Sequence, residues 1–139
     1  MMGILADAML QAGGETWGVI PQALVDKELA HTGLTELYVV KTMHERKALM
    51  ADLADAFIAL PGGFGTADEF FEILTWRQLG IHDKPIGILN VNDFFDHLLT
   101  WLNHASDEGF LSTRHRQLVQ EADEPEKLLH RICAAGREL

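Results

Sequence analysis

Residues 56–66, AFIALPGGFGT, indicate the class of fold most directly. Its first five residues are apolar, which is typical of a short strand that is buried on both faces. Three glycines within four positions then predict a tight turn, because glycine adopts backbone conformations that other residues avoid. We predict a helix from Thr66 to Leu79. The stretch therefore predicts a buried strand, a glycine loop and a helix in succession.

The same alternation extends along the chain in both directions. Further strands are predicted at Thr16–Ile20, Leu37–Lys41, Pro85–Leu89 and Leu118–Gln120, and further helices at Gly3–Gln11, Met43–Ala54, Asn92–Ser106 and Pro125–Ala135, with a short helix or turn through Ala30. Short apolar strands that alternate with helices predict an α/β protein, a parallel sheet with helices on both faces. A chain of 139 residues suffices for one compact domain, residues 1–139, and not for two.

Composition narrows the classes of partner. The formal net charge of −10 disfavours nucleic acid and acidic membrane surfaces, which would repel the chain. A small anionic ligand stays compatible, because local backbone amides and a few cations can outweigh the global field. Cys133 is the single cysteine and is predicted to be a small core residue. With no internal disulfide, no membrane span and no signal peptide in the sequence, we expect a cytoplasmic protein.

Two strand-to-helix junctions are candidate ligand sites, because open parallel sheets bind ligands at the carboxyl ends of their strands. One junction is residues 42–47, TMHERK, and the other is residues 61–66, PGGFGT. Both are expected at the same edge of the sheet. No lysine follows the glycines as in a nucleoside triphosphatase, and the pattern is not the GxGxxG of dinucleotide binders.

The glycine loop is predicted to bind a phosphate group. The following helix would present free amides and the positive end of its dipole, and the Thr66 hydroxyl could add a donor. The alternative is a turn that only connects two elements. Glu69 also has two interpretations. Thr66-x-x-Glu69 fits a capping box, and a carboxylate near the loop could stabilise positive charge on a ribose as a glycosidic bond breaks.

Arg46 and Lys47 violate the local pattern of the helix that begins at Met43. Met43, Met50 and Ala54 form an apolar stripe, and the two cations are expected on or beside it, while Glu45 and Asp52 face solvent. Cations in the first turn of a helix also oppose its dipole. Such a breach is typical of a functional site, although both side chains could instead reach solvent along the helix edge. No pair among the seven histidines has metal-ligand spacing, so no metal is expected.

At these residues the chain resembles a known family. Residues 43–47, MHERK, and residues 60–69, LPGGFGTADE, are similar to the paired motifs MHxRK and PGGxGTxxE of the LOG family, the cytokinin riboside 5′-monophosphate phosphoribohydrolases and their bacterial relatives. Shorter stretches such as Gly18–Pro21 and Glu108–Phe110 also look familial. The resemblance covers nearly the whole chain.

The resemblance implies a Rossmann-like fold, a homodimer and hydrolysis of AMP-like nucleotides to free base and ribose 5-phosphate, with no cofactor. It implies that Arg46 and Glu69 are the catalytic pair. It further implies substrate binding by seven residues: Met43, Lys47, Gly62, Gly63, Phe64, Gly65 and Thr66. Some members carry an older label of lysine decarboxylase, but nothing in the sequence resembles a pyridoxal phosphate site with its Schiff-base lysine.

The beginning of the chain departs from the family pattern. Members begin with a strand, a helix and a second strand, followed by a glycine cluster, and Met1–Gly3 is similar to the end of that cluster. We therefore expect an N-terminally truncated sheet. Two alternatives to an active enzyme stay open: a non-catalytic carrier of phosphorylated ligands, such as the molybdenum cofactor, and an inactive truncated subunit that only dimerises.

Overall fold

The computed structural model describes residues 2–26 and 33–136, in which strands and helices alternate. The elements are α1 (Met2–Gln11), β1 (Trp17–Pro21), α2 (Gln22–Val25), β2 (Glu36–Val40), α3 (Met43–Leu53), β3 (Phe57–Ala59), α4 (Phe64–Gln78), β4 (Ile86–Leu89), a 3₁₀ turn (Val91–Asp93), α5 (Asp96–Asp107), α6 (Thr113–Arg116), β5 (Val119–Ala122) and α7 (Pro125–Ala135). All strand pairs are parallel, and helices flank the sheets. The predicted α/β, Rossmann-like class is confirmed.

The chain divides into two compact units, and the first ends at Leu53. It contains a two-stranded sheet in which β1 pairs with β2, from Trp17 opposite Glu36 to Pro21 opposite Val40. Helix α3 packs against both strands. The apolar residues of α1 are mostly exposed, and none of its residues is buried.

The second unit begins at Ala54 and contains a three-stranded sheet in the order β3-β4-β5. The central strand β4 is the core of this unit, with Ile86 and Ile88 1% and 0% exposed. Helix α7 packs on β4 and β5 through Leu128 and Ile132. A Cβ on Gly87 would lie 2.7 Å from Cδ1 of Ile132 and 2.9 Å from Cδ1 of Leu128, so glycine lets α7 approach the strand closely.

Most predicted boundaries agree with the structure within two residues, and α7 agrees at both ends. The predicted helix from Asn92 to Ser106 is wrong at its start. Asn92 and Asp93 have φ values of 52° and 58°, a left-handed conformation that Asn and Asp tolerate but a helix does not, so α5 begins only at Asp96. The predicted helix or turn through Ala30 is seen as α2, and its last residues lie outside the described ranges.

The prediction for Cys133 is also wrong, because this side chain is exposed on α7. The inward face of α7 is formed by Leu128 and Ile132, and the residue after Ile132 is rotated by about 100° from it. In the described part of the chain, no helix is long and apolar enough to cross a membrane.

The turn between α4 and β4 is fixed by two side chains. Nη1 of Arg77 donates to the Lys84 carbonyl at 2.6 Å. The Lys84 amide donates to Nδ1 of His82 at 3.2 Å, so the His82 proton lies on Nε2, which donates to the Ile73 carbonyl at 3.0 Å. Burial lowers the pKa of His82 below its ordinary value of 6.5, and the charges of Arg77 and Lys84 lower this pKa further. The hydrogen bond to the Ile73 carbonyl raises it, but the net shift is downward. The turn therefore requires a neutral imidazole.

We expect Gly87→Ala to destabilise the chain by about 1–3 kcal/mol, because the added methyl group overpacks the contact between β4 and α7. Urea unfolding followed by circular dichroism measures the change. The matched control is Gly136→Ala at the end of α7, where a Cβ would meet only ordinary contacts at 3.6 Å or more. Equal stability of the two variants would contradict the close packing of α7 on Gly87.

Stability should also decrease as the pH falls from about 7 to about 5, because the unfolded chain takes up a proton at His82 that the folded turn disfavours. The folded pKa is the lower one, so the contribution is complete above about 6.5 and is lost as the pH falls through the folded value. Urea midpoints across this range measure it. His82→Gln should flatten the dependence, whereas His97→Gln, which removes an exposed histidine of α5, should leave it intact. A slope unchanged in His82→Gln would exclude this histidine as the cause.

Candidate functional site

The glycine loop occupies the predicted place, between the carboxyl end of β3 and the start of α4. Helix α4 begins at Phe64 with Gly63 as its N-cap, and its first internal bond runs from the Ala67 amide to the Gly63 carbonyl at 3.1 Å. The amides of the three residues between them point out of the helix start without an intrahelical acceptor. The N-cap residue is a glycine and has no side chain to cap this end, and the first turn of α4 holds no acidic residue. The start of α4 is therefore an open, electropositive set of amide donors.

The side chain of Thr66 closes back onto the loop. A Cβ built on Gly62 would lie 2.2 Å from Oγ1 of Thr66 and 3.0 Å from its Cβ. Glycine at position 62 is thus required by the position of the threonine rather than by backbone torsion. Phe64 is 97% exposed and covers none of the loop. The hydroxyl of Thr66 is consequently held beside the loop that precedes the helix.

The capping box predicted for Thr66 and Glu69 is wrong. Helix α4 begins two residues earlier than the sequence suggested, so Thr66 is the third residue of the helix and Gly63 takes the N-cap position. Glu69 lies one turn further on, half-buried and next to the buried Phe70. Glu69 therefore forms no capping box with Thr66 as the N-cap residue, and its catalytic role stays a prediction.

The second junction connects β2 to α3 through Lys41 and Thr42, and here a capping box is present in modified form, because the glutamate reaches the amide one residue before the N-cap. Oγ1 of Thr42 accepts the Glu45 amide at 3.1 Å, and Oε2 of Glu45 accepts the Lys41 amide at 2.8 Å. The carbonyl of Thr42 accepts the Arg46 amide at 3.1 Å, which is the first bond of the helix. The sequence analysis did not predict this role of Thr42 and Glu45, although Thr42-x-x-Glu45 matches the capping-box motif. At α3 a side chain thus accepts one of the first amides, that of Glu45, whereas the N-cap glycine of α4 has no side chain to do so.

Arg46 and Lys47 are half-buried, as predicted, and Glu45 and Asp52 are exposed. The apolar stripe was misplaced, because Met43 and Met50 are 43% and 36% exposed and Ala51 is the buried residue of α3. Lys47 and Ala51 are four residues apart and therefore lie on one face of α3. The inward face of the helix thus contains Ala51 and lies beside the two cations, and the exposed methionines are not part of it.

The predicted site residues fall into two groups. Met43, Arg46 and Lys47 lie together in the first turn and a half of α3, in the first unit; residues 62–66 and Glu69 lie together at the start of α4, in the second unit. The pairing of Arg46 with Glu69 stays a prediction. Among residues 2–26 and 33–136, no three His, Cys, Asp or Glu side chains are grouped as metal ligands.

Comparison with known proteins tests the resemblance to the LOG family. The family model described as "Possible lysine decarboxylase" matches residues 2–132. A cytokinin riboside 5′-monophosphate phosphoribohydrolase of Rhodococcoides fascians is 57% identical over 122 residues, which are 86% of this chain and 62% of the relative. One from Arabidopsis thaliana is 46% identical over 129 residues, 93% of this chain and 61% of the relative.

A probable enzyme of the same name from Oryza sativa is 46% identical over 132 residues, 95% of this chain and 59% of the relative. The chain thus spans about three-fifths of the length of these relatives. The range matched by the family model includes both junctions, and the identity to these relatives is far above the level at which only a fold is shared. The chain therefore belongs to the LOG family, the family of the cytokinin riboside 5′-monophosphate phosphoribohydrolases.

Proposed function

We propose that the protein hydrolyses the N-glycosidic bond of nucleoside 5′-monophosphates, AMP or a cytokinin riboside monophosphate, to free base and ribose 5-phosphate. The observation that carries the proposal is the start of α4, where three amides without intrahelical acceptors follow a glycine loop and the N-cap glycine has no side chain to bind them. Such a helix start binds phosphate. The relatives named for this activity support the choice of substrate class.

In this proposal the amides of Phe64, Gly65 and Thr66 bind the 5′-phosphate, with Gly62 and Gly63 permitting close approach. Helix α4 is 15 residues long, so its dipole contributes fully at this end. The global charge of −10 is overcome locally, because backbone dipoles act at contact distance while the dispersed carboxylates are screened.

The chemical step breaks the bond between C1′ and the base nitrogen. As that bond lengthens, positive charge develops on the ribose, and a fixed carboxylate stabilises it. We assign this role, or that of positioning the attacking water, to Glu69. Water supplies the hydroxyl group at C1′, and its proton goes to the departing base. The half-buried position of Glu69 strengthens its field relative to that of an exposed carboxylate.

Arg46 is assigned the orientation of the nucleotide, and Met43 and Lys47 line its binding site. A guanidinium suits this role because its planar donors hold phosphate or ribose oxygens in a fixed direction. A cytoplasmic homodimer belongs to the same proposal. It is supported by the exposed apolar side chains of the second unit, such as Trp101, which is 54% exposed and meets Phe71 edge to face at 5.8 Å.

Glu69→Gln should retain nucleotide binding and lose base release by at least about a hundredfold, because the amide keeps the size and removes the charge. Chromatography of reactions with AMP and isopentenyladenosine monophosphate measures free base, and calorimetry measures binding. Glu126→Gln on α7 is the matched control, since Glu126 is an exposed glutamate in the first turn of another helix. Normal hydrolysis by Glu69→Gln would refute the catalytic assignment, and binding without hydrolysis by the unaltered chain would favour a non-catalytic binder.

Gly62→Ala should weaken binding of AMP by at least about tenfold, because the new methyl group displaces Thr66 from the loop. Calorimetric titration with AMP measures the loss, and circular dichroism checks that the variant is folded. Adding Thr66→Ala removes the contact with Oγ1 at 2.2 Å and keeps the one with Cβ at 3.0 Å, so the double variant should recover part of the affinity that Gly62→Ala loses. Affinity that is unchanged in Gly62→Ala would argue against a phosphate site at this loop.

A further inference from the structure

The capping box of α3 has a consequence for Arg46, which follows it directly. Three hydrogen bonds connect residues 41–46. The Arg46 amide donates to the Thr42 carbonyl, the Glu45 amide to the Thr42 hydroxyl, and the Lys41 amide to the Glu45 carboxylate. Only Lys41 and Thr42 separate β2 from α3, so the connection between the strand and the helix is very short. The point at which the helix begins is therefore fixed by these two side chains.

The starting point of a helix determines where each of its side chains points. Each residue is rotated by about 100° from the one before it, so a start displaced by one residue would turn Arg46 toward the direction now taken by a neighbour. Glu45 on one side is exposed, whereas Arg46 and Lys47 are half-buried. A loosened first turn would thus exchange an inward guanidinium for one that samples solvent.

Charge in the first turn adds to this effect. Arg46 and Lys47 oppose the positive end of the helix dipole, and the carboxylate of Glu45 offsets them. Because that carboxylate bonds backward to the Lys41 amide, it is directed toward the end of β2. Adjacent side chains on a helix do not face each other, so Glu45 acts on Arg46 through the backbone.

We infer that Thr42 and Glu45 are positioning residues for Arg46 in nucleotide cleavage. The inference rests on the proposed function and extends it to two residues outside the predicted site. It separates two roles for acidic side chains in this chain: Glu69 acts on the substrate, whereas Glu45 holds the helix that carries the arginine.

Paired substitutions test the inference on the 139-residue chain. Glu45→Ala and Thr42→Val each remove one cap acceptor, and kcat for base release from AMP should fall at least about tenfold while KM changes less than about twofold, because phosphate binding at α4 is untouched. Glu45→Gln and Thr42→Ser keep the acceptor and should restore kcat to within about twofold. Asp52→Ala, which removes an exposed carboxylate later in α3, is the control and should leave kcat unchanged.

A second readout is independent of activity. Hydrogen exchange of the Arg46 Nε–H, followed by nuclear magnetic resonance below the unfolding temperature, should become faster in Glu45→Ala and Thr42→Val than in Glu45→Gln and Thr42→Ser. If the unaltered chain releases no base, the proposed function fails and this exchange experiment alone decides the positioning role. Unchanged kcat in Glu45→Ala, equal losses in Glu45→Ala and Glu45→Gln, or equal exchange in all four variants would each overturn the inference.

Discussion

Each helix that follows a parallel strand begins at the carboxyl edge of the sheet with amide groups that the helix itself cannot satisfy. Helices α3 and α4 differ in how these amide groups are bound. At α3 the Thr42 hydroxyl accepts one of these amides, that of Glu45, and the Glu45 carboxylate accepts the Lys41 amide just before the helix. At α4 a glycine, which has no side chain, takes the cap position. In the proposed function, the start of α3 therefore has a structural role, and the start of α4 is available to an anion.

The open helix start is useful only if α4 is rigid, and the packing of the second unit provides that rigidity. Phe70, Ile73 and Leu74 bury one face of α4, and the turn held by Arg77 and His82 connects its far end to β4. Strand β4 in turn is enclosed by α7. The loop at the front of α4 is thus attached to the best-buried part of the unit, as precise ligand binding requires.

The order of strands and helices could be predicted from the sequence, because short apolar runs and glycine or proline breaks report local structure directly. The errors arose where a side chain competes with that pattern. Asn92 and Asp93 interrupt a helical stretch by adopting left-handed torsions, and no periodicity reveals this. The capping box was assigned to Thr66 instead of Thr42 because both threonines precede a glutamate at the same spacing, and only the cap at Gly63 distinguishes them.

The sequence predicted that the candidate residues lie at the starts of two helices that follow strands, and the structure confirms these positions, but the pairing of Arg46 with Glu69 stays a prediction. Arg46 and Glu69 belong to different units, so the local sequence carries no signal of their distance. Within α4, however, geometry favours the proposed chemistry. Glu69 is five residues beyond Phe64, roughly 7.5 Å along the helix axis, and helical side chains lean toward the N-terminus. In the proposed complex, a carboxylate so placed would be separated from phosphate at the amides and would lie on the side of the attached sugar, where cleavage generates positive charge.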